Sequence, residues 1–259
     1  MADDKETTAI PVPPPVNDGE TGTSAAPPLH DDAKGTGTKS SGPQATEELP
    51  TPETCRKIED YQVLDREGKK HSFKSLYDGP TSADRVVVIF IRHFFCGSCQ
   101  EYLIALSKAI QPADLLKLPT STSIAIVGCG DPGLIDFYAT QTGCQFPIYA
   151  DPSQKLYGDL GMVSNLAMGP QPEYIRKSMF RIIGESIVQG LKQIPSGLAH
   201  KGGPNSQNGG ELIFESTGEG LPKQMTWCHR MTTTRDHIEV NELMKVLDPS
   251  QKYLQKPRE

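Results

Sequence analysis

The sequence predicts an α/β protein, a central mixed sheet with helices on both faces, behind an N-terminal arm that builds no core. Three observations carry this. Residues 1–50 are Pro, Gly, Thr, Ser, Asp and Glu with scattered aliphatics and no aromatic residue. Val86–Ile91 is an unbroken apolar run rich in β-branched residues, the pattern of a strand buried on both faces. Beyond it, strand-like and helix-like segments alternate, which implies parallel central strands with helices packed on either side.

The arm cannot bury enough apolar surface to offset backbone ordering, about 1–2 kcal/mol per residue. It is expected to be disordered and dispensable for folding, with Pro11 and the Pro13–Pro15 run able to hold a short polyproline II stretch. The expected organisation is therefore an arm over 1–50, one domain over 51–248 and a flexible tail over 249–259.

Within the domain, Tyr61–Leu64 reads as a short strand, Asp65–Gly68 as a turn, and His71–Phe73 as the pairing strand. After Val86–Ile91 the spacing becomes helical from Gly97 to Ile110, with Leu103, Leu106 and Ile110 on one face. Ser123–Val127 is a second buried strand. Asp131-Pro132 supplies an N-cap and a first-turn proline for the next helix, and Gly143 closes it. Asp151-Pro152 repeats that start signal ahead of Leu156, Tyr157 and Leu160. Between Glu173 and Ile194, the spacing of Ile175, Met179, Ile182, Ile183, Ile187, Leu191 and Ile194 predicts one long amphipathic helix. A Gly-rich loop follows over 195–210, then strands at Glu211–Glu215 and Met225–His229, and a terminal helix at Glu239–Leu247. This order is that of the thioredoxin fold, which places a redox site directly after its central strand, where Cys96 and Cys99 fall.

Composition narrows the function classes. A net charge of −6 and a pI near 5.6 leave no basic stripe for nucleic acid. The acidic Met1–Glu6 start is unlike a secretory or mitochondrial leader. The longest apolar stretch, Val86–Ile91, falls far short of the roughly 20 residues of a membrane helix. The expectation is a cytoplasmic protein that binds neither nucleic acid nor membrane; its oligomeric state is left open. In a reducing compartment, six cysteines point to catalysis or metal binding rather than to a disulfide framework.

Cys96-Gly97-Ser98-Cys99 stands between the buried strand and the helix that follows it. Thiols spaced this way at a helix start can close a disulfide without moving either element. Cys96 would feel the unsatisfied N–H groups and positive dipole of the helix end, which lower a thiol's pKa. Cys99 should be the more buried partner, and Arg92 and His93 could add positive charge. The candidate catalytic set is thus Cys96, Cys99, Arg92 and His93. Zinc held by the pair with Cys129, Cys144, Cys228 or His229 is the competing reading, weakened by the lack of a second C-x-x-C; a pair that is merely packed is the third. No metal or cofactor is expected. Cys129, at the end of a parallel strand, should lie near the pair, Cys144 at the opposite end of the sheet, and Cys55 exposed ahead of the domain. In Trp227–Met231, His229 or Arg230 could supply charge to the site, although an edge strand with alternating faces accounts for them; His237 is expected only to help start the last helix. Arg92 ranks ahead of Arg176 and Arg230 among the arginines.

The stretch VVIFIRHFFCGSCQEYL, Val87–Leu103, resembles the AhpC/TSA-type, peroxiredoxin-like 2 proteins, with support from IAIVGCGDPGLIDFY, GCQFPIYADPSQKLYGDLGM, GGELIFE and WCHRMTTTRDHIEV. The resemblance spans roughly residues 58–248. It implies a thioredoxin-like fold with a peroxiredoxin-style insertion and an antioxidant-type activity. Peroxiredoxins of the usual kind carry P-x-x-x-T-x-x-C. Counted from Cys96 the Pro and Thr spacings hold Ile89 and His93, and counted from Cys99 they hold Arg92 and Cys96. The arginine that such proteins carry late in the chain is matched by Gly209 or Gly210. The implied chemistry is thiol oxidoreduction, with Cys96 as nucleophile, Cys99 as resolving thiol and an external thiol reductant of the thioredoxin or glutathione type. Disulfide exchange is expected to be easier than fast peroxide reduction. The alternative is a non-enzymatic redox sensor or partner-binding scaffold on the same fold.

Overall fold

The computed structural model describes residues 47–250, apart from Glu219. The arm expected over 1–50 lies outside the described residues up to position 46, as does the tail from 251. Helix α1 (Pro52–Glu59) leads into the hairpin β1 (Gln62–Leu64) and β2 (Lys70–Ser72). Then come β3 (Arg85–Phe90), α2 (Gly97–Ala109), the short α3 (Pro112–Leu115), β4 (Thr122–Gly128) and α4 (Ile135–Thr142). The chain continues through β5 (Ile148–Ala150), α5 (Lys155–Asp159), α6 (Met179–Lys192), β6 (Gly210–Ser216), β7 (Lys223–Arg230) and α7 (Val240–Leu247).

The sheet is seven-stranded, in the order β2-β1-β5-β4-β3-β6-β7. β3, β4 and β5 are parallel, while β6 runs antiparallel to β3 and pairs antiparallel with β7. A β3-α2-β4 crossover followed by an antiparallel β6–β7 pair is the thioredoxin-like core. The apolar run of β3 is divided between its two faces, as strand geometry demands. Val87, Ile89 and Ile91 pack with α2, α4 and α7, and Val86, Val88 and Phe90 pack with Ile58, Phe73, Leu156 and Tyr157. Among the described residues no helix is long and apolar enough to cross a membrane.

Four sequence expectations need correction. Helix α1 was not foreseen, although Thr51 as N-cap and Pro52 in the first turn are ordinary start signals. Cys55 lies within this helix and is half-buried rather than exposed. Asp151-Pro152 forms a turn, and α5 begins only at Lys155, because the Asp151 carboxylate accepts from the Ser153 hydroxyl and from the Leu156 N–H. The helix expected over 173–194 is confined to Met179–Lys192. Tyr174 and Ile175 are instead buried in an irregular segment with a turn at 173–174, where the Tyr174 ring meets Tyr102 edge-on and its hydroxyl donates to the Arg235 carbonyl. A helix through Glu173 would swing both side chains out of the core. Of the apolar positions in α6, Ile182 turns inward, while Ile183, Ile187 and Leu191 stay exposed.

Gly209 sits where the chain enters β6, and its position is set by close approach. A Cβ there would overlap the carbonyl oxygen of Phe90 at the end of β3. Neither backbone can yield, since Met231 N–H donates to the Gly209 carbonyl from the other side. Gly209→Ala is expected to destabilise the fold by about 3 kcal/mol, the upper part of the range for overpacking. Denaturant unfolding measures this, and an unchanged midpoint would show that the β3–β6 junction is looser than drawn.

Candidate active site

The site forms where β3 ends. Residues 91–96 leave the sheet in an irregular turn, and the Tyr157 hydroxyl donates to the carbonyls of both Ile91 and Val127, tying the ends of β3 and β4 together. Cys96 is the N-cap of α2, in extended conformation, and its sulfur accepts from the Cys99 N–H at 3.4 Å. A side chain at that position receives the unsatisfied N–H groups of the first turn. Cys99 sits one turn in, its Sγ 2.9 Å from Cys96 Sγ, with both thiols free. Cys96 keeps 4 % of its surface and Cys99 none, so an incoming group meets Cys96 first.

Arg92 is buried beside the pair. Its Nε donates to the Gln207 carbonyl at 3.1 Å and to the Asn208 side-chain oxygen at 3.2 Å, and its Nη2 donates to the Asn205 carbonyl. Its Nη1 points at Cys96 Sγ, 3.4 Å away. Among the described residues no carboxylate is paired with this guanidinium. A buried cation surrounded by neutral acceptors favours an anion at the one remaining partner. Burial pushes the Cys96 thiol up, but the hydrogen bond from the Cys99 thiol and the nearby positive charge outweigh it, leaving Cys96 well below the ordinary thiol range. His93 contributes only when protonated. It is itself buried, and burial together with Arg92 lowers its proton affinity, against the opposing pull of Cys96. Cys99 behaves oppositely to Cys96, its thiol raised by burial and by the neighbouring Cys96.

Behind Cys99 lies a group of residues that the sequence reading did not assemble. Glu211, on β6, is fully buried, and both its oxygens are taken: Oε1 by His237 Nδ1 at 2.6 Å and Oε2 by His229 Nδ1 at 2.8 Å. His229 is the residue directly opposite Glu211 on β7. The other ring nitrogen of His237, Nε2, lies 3.3 Å from Cys99 Sγ. His237 is thus buried against the pair instead of serving the start of α7, and His229 bonds a buried carboxylate rather than merely alternating along a strand. The available signal was Glu211 itself. A carboxylate opening the apolar run Leu212-Ile213-Phe214 must find partners if that strand is central.

The remaining candidates fall elsewhere. Cys129 is close, its thiol donating to the Arg92 carbonyl at 2.8 Å, and burial pushes it up to about 12. Cys144 precedes β5, at the far end of the sheet, where burial pushes its thiol up to about 11. Cys228 donates to the carbonyls of Glu47 and Glu48 on the opposite face of the sheet from Cys99. Arg230 is buried on β7, where its guanidinium donates to the carbonyls of Leu160 and Glu48. Among the described residues no three His, Cys, Asp or Glu side chains gather as a metal site.

Against known proteins, residues 106–233 match the family model described as AhpC/TSA antioxidant enzyme. The chain is 29 % identical over 193 residues to Peroxiredoxin-like 2C of Takifugu rubripes, covering 73 % of this chain and 79 % of that protein. It is 26 % identical over 192 residues to the Homo sapiens protein of the same name, covering 73 % and 78 %. The chain is thus similar to AhpC/TSA-type, peroxiredoxin-like proteins. Among solved structures, peroxiredoxin Q of Xanthomonas campestris superposes with a TM-score of 0.47 at 12 % identity, over 80 % of this chain and 99 % of that one. The family-model match begins C-terminal to Cys99, so the C-x-x-C lies outside it and is known here from its geometry.

Proposed function

We propose that this peroxiredoxin-like protein is a thiol–disulfide oxidoreductase in which Cys96 attacks a disulfide, Cys99 resolves the mixed disulfide, and an external thiol of the thioredoxin or glutathione type resets the pair. The observation that carries the reading is the Arg92 guanidinium aimed at Cys96 Sγ, with neutral acceptors as its other partners. Thiolate is the reacting form of cysteine, and a helix N-terminus with an arginine is the environment that produces it. The resolving thiol lies within van der Waals contact, so the mixed disulfide can be cleared before it is trapped.

A thiolate titration tests this. Followed by ultraviolet absorbance in a Cys99→Ser protein, Cys96 is expected to ionise well below an ordinary thiol, and Arg92→Met to move its midpoint upward. A lost hydrogen bond to a charged group costs about 1.5–3 kcal/mol, so exchange at neutral pH should slow by about tenfold or more. The sign extends to stability. A folded thiol below its unfolded value stabilises the reduced protein above the unfolded pKa, and that contribution is lost as pH falls through the lowered folded pKa. A Cys96 that titrates as a free thiol would favour the alternative, a scaffold or sensor that needs no activated sulfur.

A further inference from the structure

Cys99 cannot attack a sulfur on Cys96 until it has lost its proton. Within hydrogen-bond reach of Cys99 Sγ stand the Arg92 N–H, Cys96 Sγ and His237 Nε2. The first is a donor, and the second is consumed once Cys96 is bound to a substrate sulfur. His237 Nε2 remains. The 2.6 Å contact of Nδ1 with the Glu211 carboxylate assigns the proton to Nδ1, which leaves the Nε2 lone pair facing the thiol. The ring is held in this orientation by Tyr102, stacked on it at 4.4 Å and 3°, and the His237 backbone N–H donates to the Tyr174 hydroxyl.

We propose that His237 takes the proton of Cys99 during resolution, with Glu211 as its positioning residue and His229 as the link from that carboxylate to solvent. The inference rests on Cys96 as the first nucleophile. In the first step the Cys96 thiolate bonds to one sulfur of the substrate disulfide, and the other sulfur departs as a thiolate that is protonated by water. In the second, the Cys99 proton passes to His237 Nε2 as Cys99 Sγ bonds to Cys96 Sγ. The substrate's remaining sulfur leaves with the electron pair of the broken bond. The pair is oxidised by two electrons and the substrate disulfide is reduced to two thiols. When an external thiol reduces the pair, the proton returns from His237 to the outgoing Cys99 sulfur.

The charges around the ring suit this role. Facing His237 are Glu211 from β6, Cys99 and Tyr102 from α2, and Tyr174 from the segment before α6, with Asp236 and Glu239 beside it in the chain. Burial works to raise the Glu211 carboxyl, yet the two imidazoles hold it below its ordinary value. Burial works to lower His229, and its bond to Glu211 overrides this and raises it. His229 thus gives the buried carboxylate a second partner besides His237, whose Nε2 faces Cys99. The His229 side chain retains 17 % exposure while those of Glu211 and His237 have none, so it is the member of the chain that meets water.

The test uses the full chain, reduced, mixed with oxidised glutathione and quenched in acid. Peptide mass then reads the Cys96–glutathione adduct and the Cys96–Cys99 disulfide over time. In His237→Asn the adduct is expected to form as in the parent and then persist. Its conversion at neutral pH should be about 10²-fold slower, the lower end of a general-base contribution, and should recover as pH approaches that of a free thiol. Glu211→Gln, nearly isosteric, should show a smaller loss with the same pH signature, and serves if His237→Asn fails to fold. Conversion at the parental rate in either folded variant would overturn the proposal, as would a slowing that is equal at every pH. A Cys99→Ser protein that forms no adduct at Cys96 would overturn the underlying reading instead.

Discussion

Replacement of Cys96 by serine is expected to reduce disulfide exchange to the uncatalysed background, whereas Cys99→Ser should consume one equivalent of disulfide and stop as a stable mixed disulfide. The asymmetry follows from the surroundings of the two sulfurs. Cys96 caps α2, accepts the Cys99 N–H and faces Arg92, so its thiolate is the stabilised anion and the group a substrate can reach. A serine hydroxyl in the same place stays protonated, and neither the helix end nor the guanidinium makes it a comparable nucleophile. Cys99 is fully buried, with its thiol held up by burial and by Cys96, and it reacts only with a sulfur already attached to its neighbour. Mass mapping after mild oxidation checks both halves. The parent protein should show Cys96 linked reversibly to Cys99, and a Cys96→Ser protein that still exchanges at the parental rate would transfer the role to another thiol.

Peroxide turnover should be slow beside disulfide exchange. A departing peroxide oxygen needs donors already arranged around it. At the spacing where peroxiredoxins place threonine, counted from Cys96, this chain has His93, which is buried and carries no hydroxyl. The late arginine is replaced by Gly209 or Gly210, and at Gly209 no side chain fits against Phe90. Arg92 offers Nη1 toward Cys96, but its Nε and Nη2 are committed to Gln207, Asn208 and Asn205. Losing one preorganised donor typically costs about 10²–10³ in rate, and two such losses outweigh the gain from a lowered thiol pKa. That gain limits itself, since nucleophilicity falls with pKa. Stopped-flow oxidation by hydrogen peroxide gives the measurement. A second-order rate far above that of a free thiolate, lost in Arg92→Met, would show that Arg92 alone rebuilds the pocket.

The C-x-x-C was legible because everything that defines it is local. The apolar run of β3, the switch to helical spacing at Gly97 and the two cysteines between them lie within a few turns of chain. The parallel arrangement of β3 and β4 was legible for a similar reason, since a strand-helix-strand order leaves few ways to pack. Helix ends were legible only where a side chain acts on its own neighbours. Asp131 caps the turn at Pro132–Leu134 as expected, whereas the carboxylate of Asp151 bonds the Leu156 N–H and delays its helix by a turn. The extent of α6 was not local at all. Tyr174 and Ile175 carry helical spacing, yet contacts with α2 and with residues near His237 draw them into the core in an irregular, turn-containing segment.

What the sequence by itself determined is the fold class, the βα unit and the two sulfurs at its turn, since these follow from apolar periodicity and from residue types adjacent in the chain. What only the tertiary structure decided is the protonation environment of those sulfurs. His237 meets a cysteine 138 positions away, and Glu211 is held between two histidines because β6 lies beside β3 and β7 beside β6. Arg92 finds its acceptors in a loop more than a hundred residues downstream. Charge and hydrogen bonding act through space over a few ångströms, and in a buried site their sign and strength depend on which distant side chains the packing delivers there.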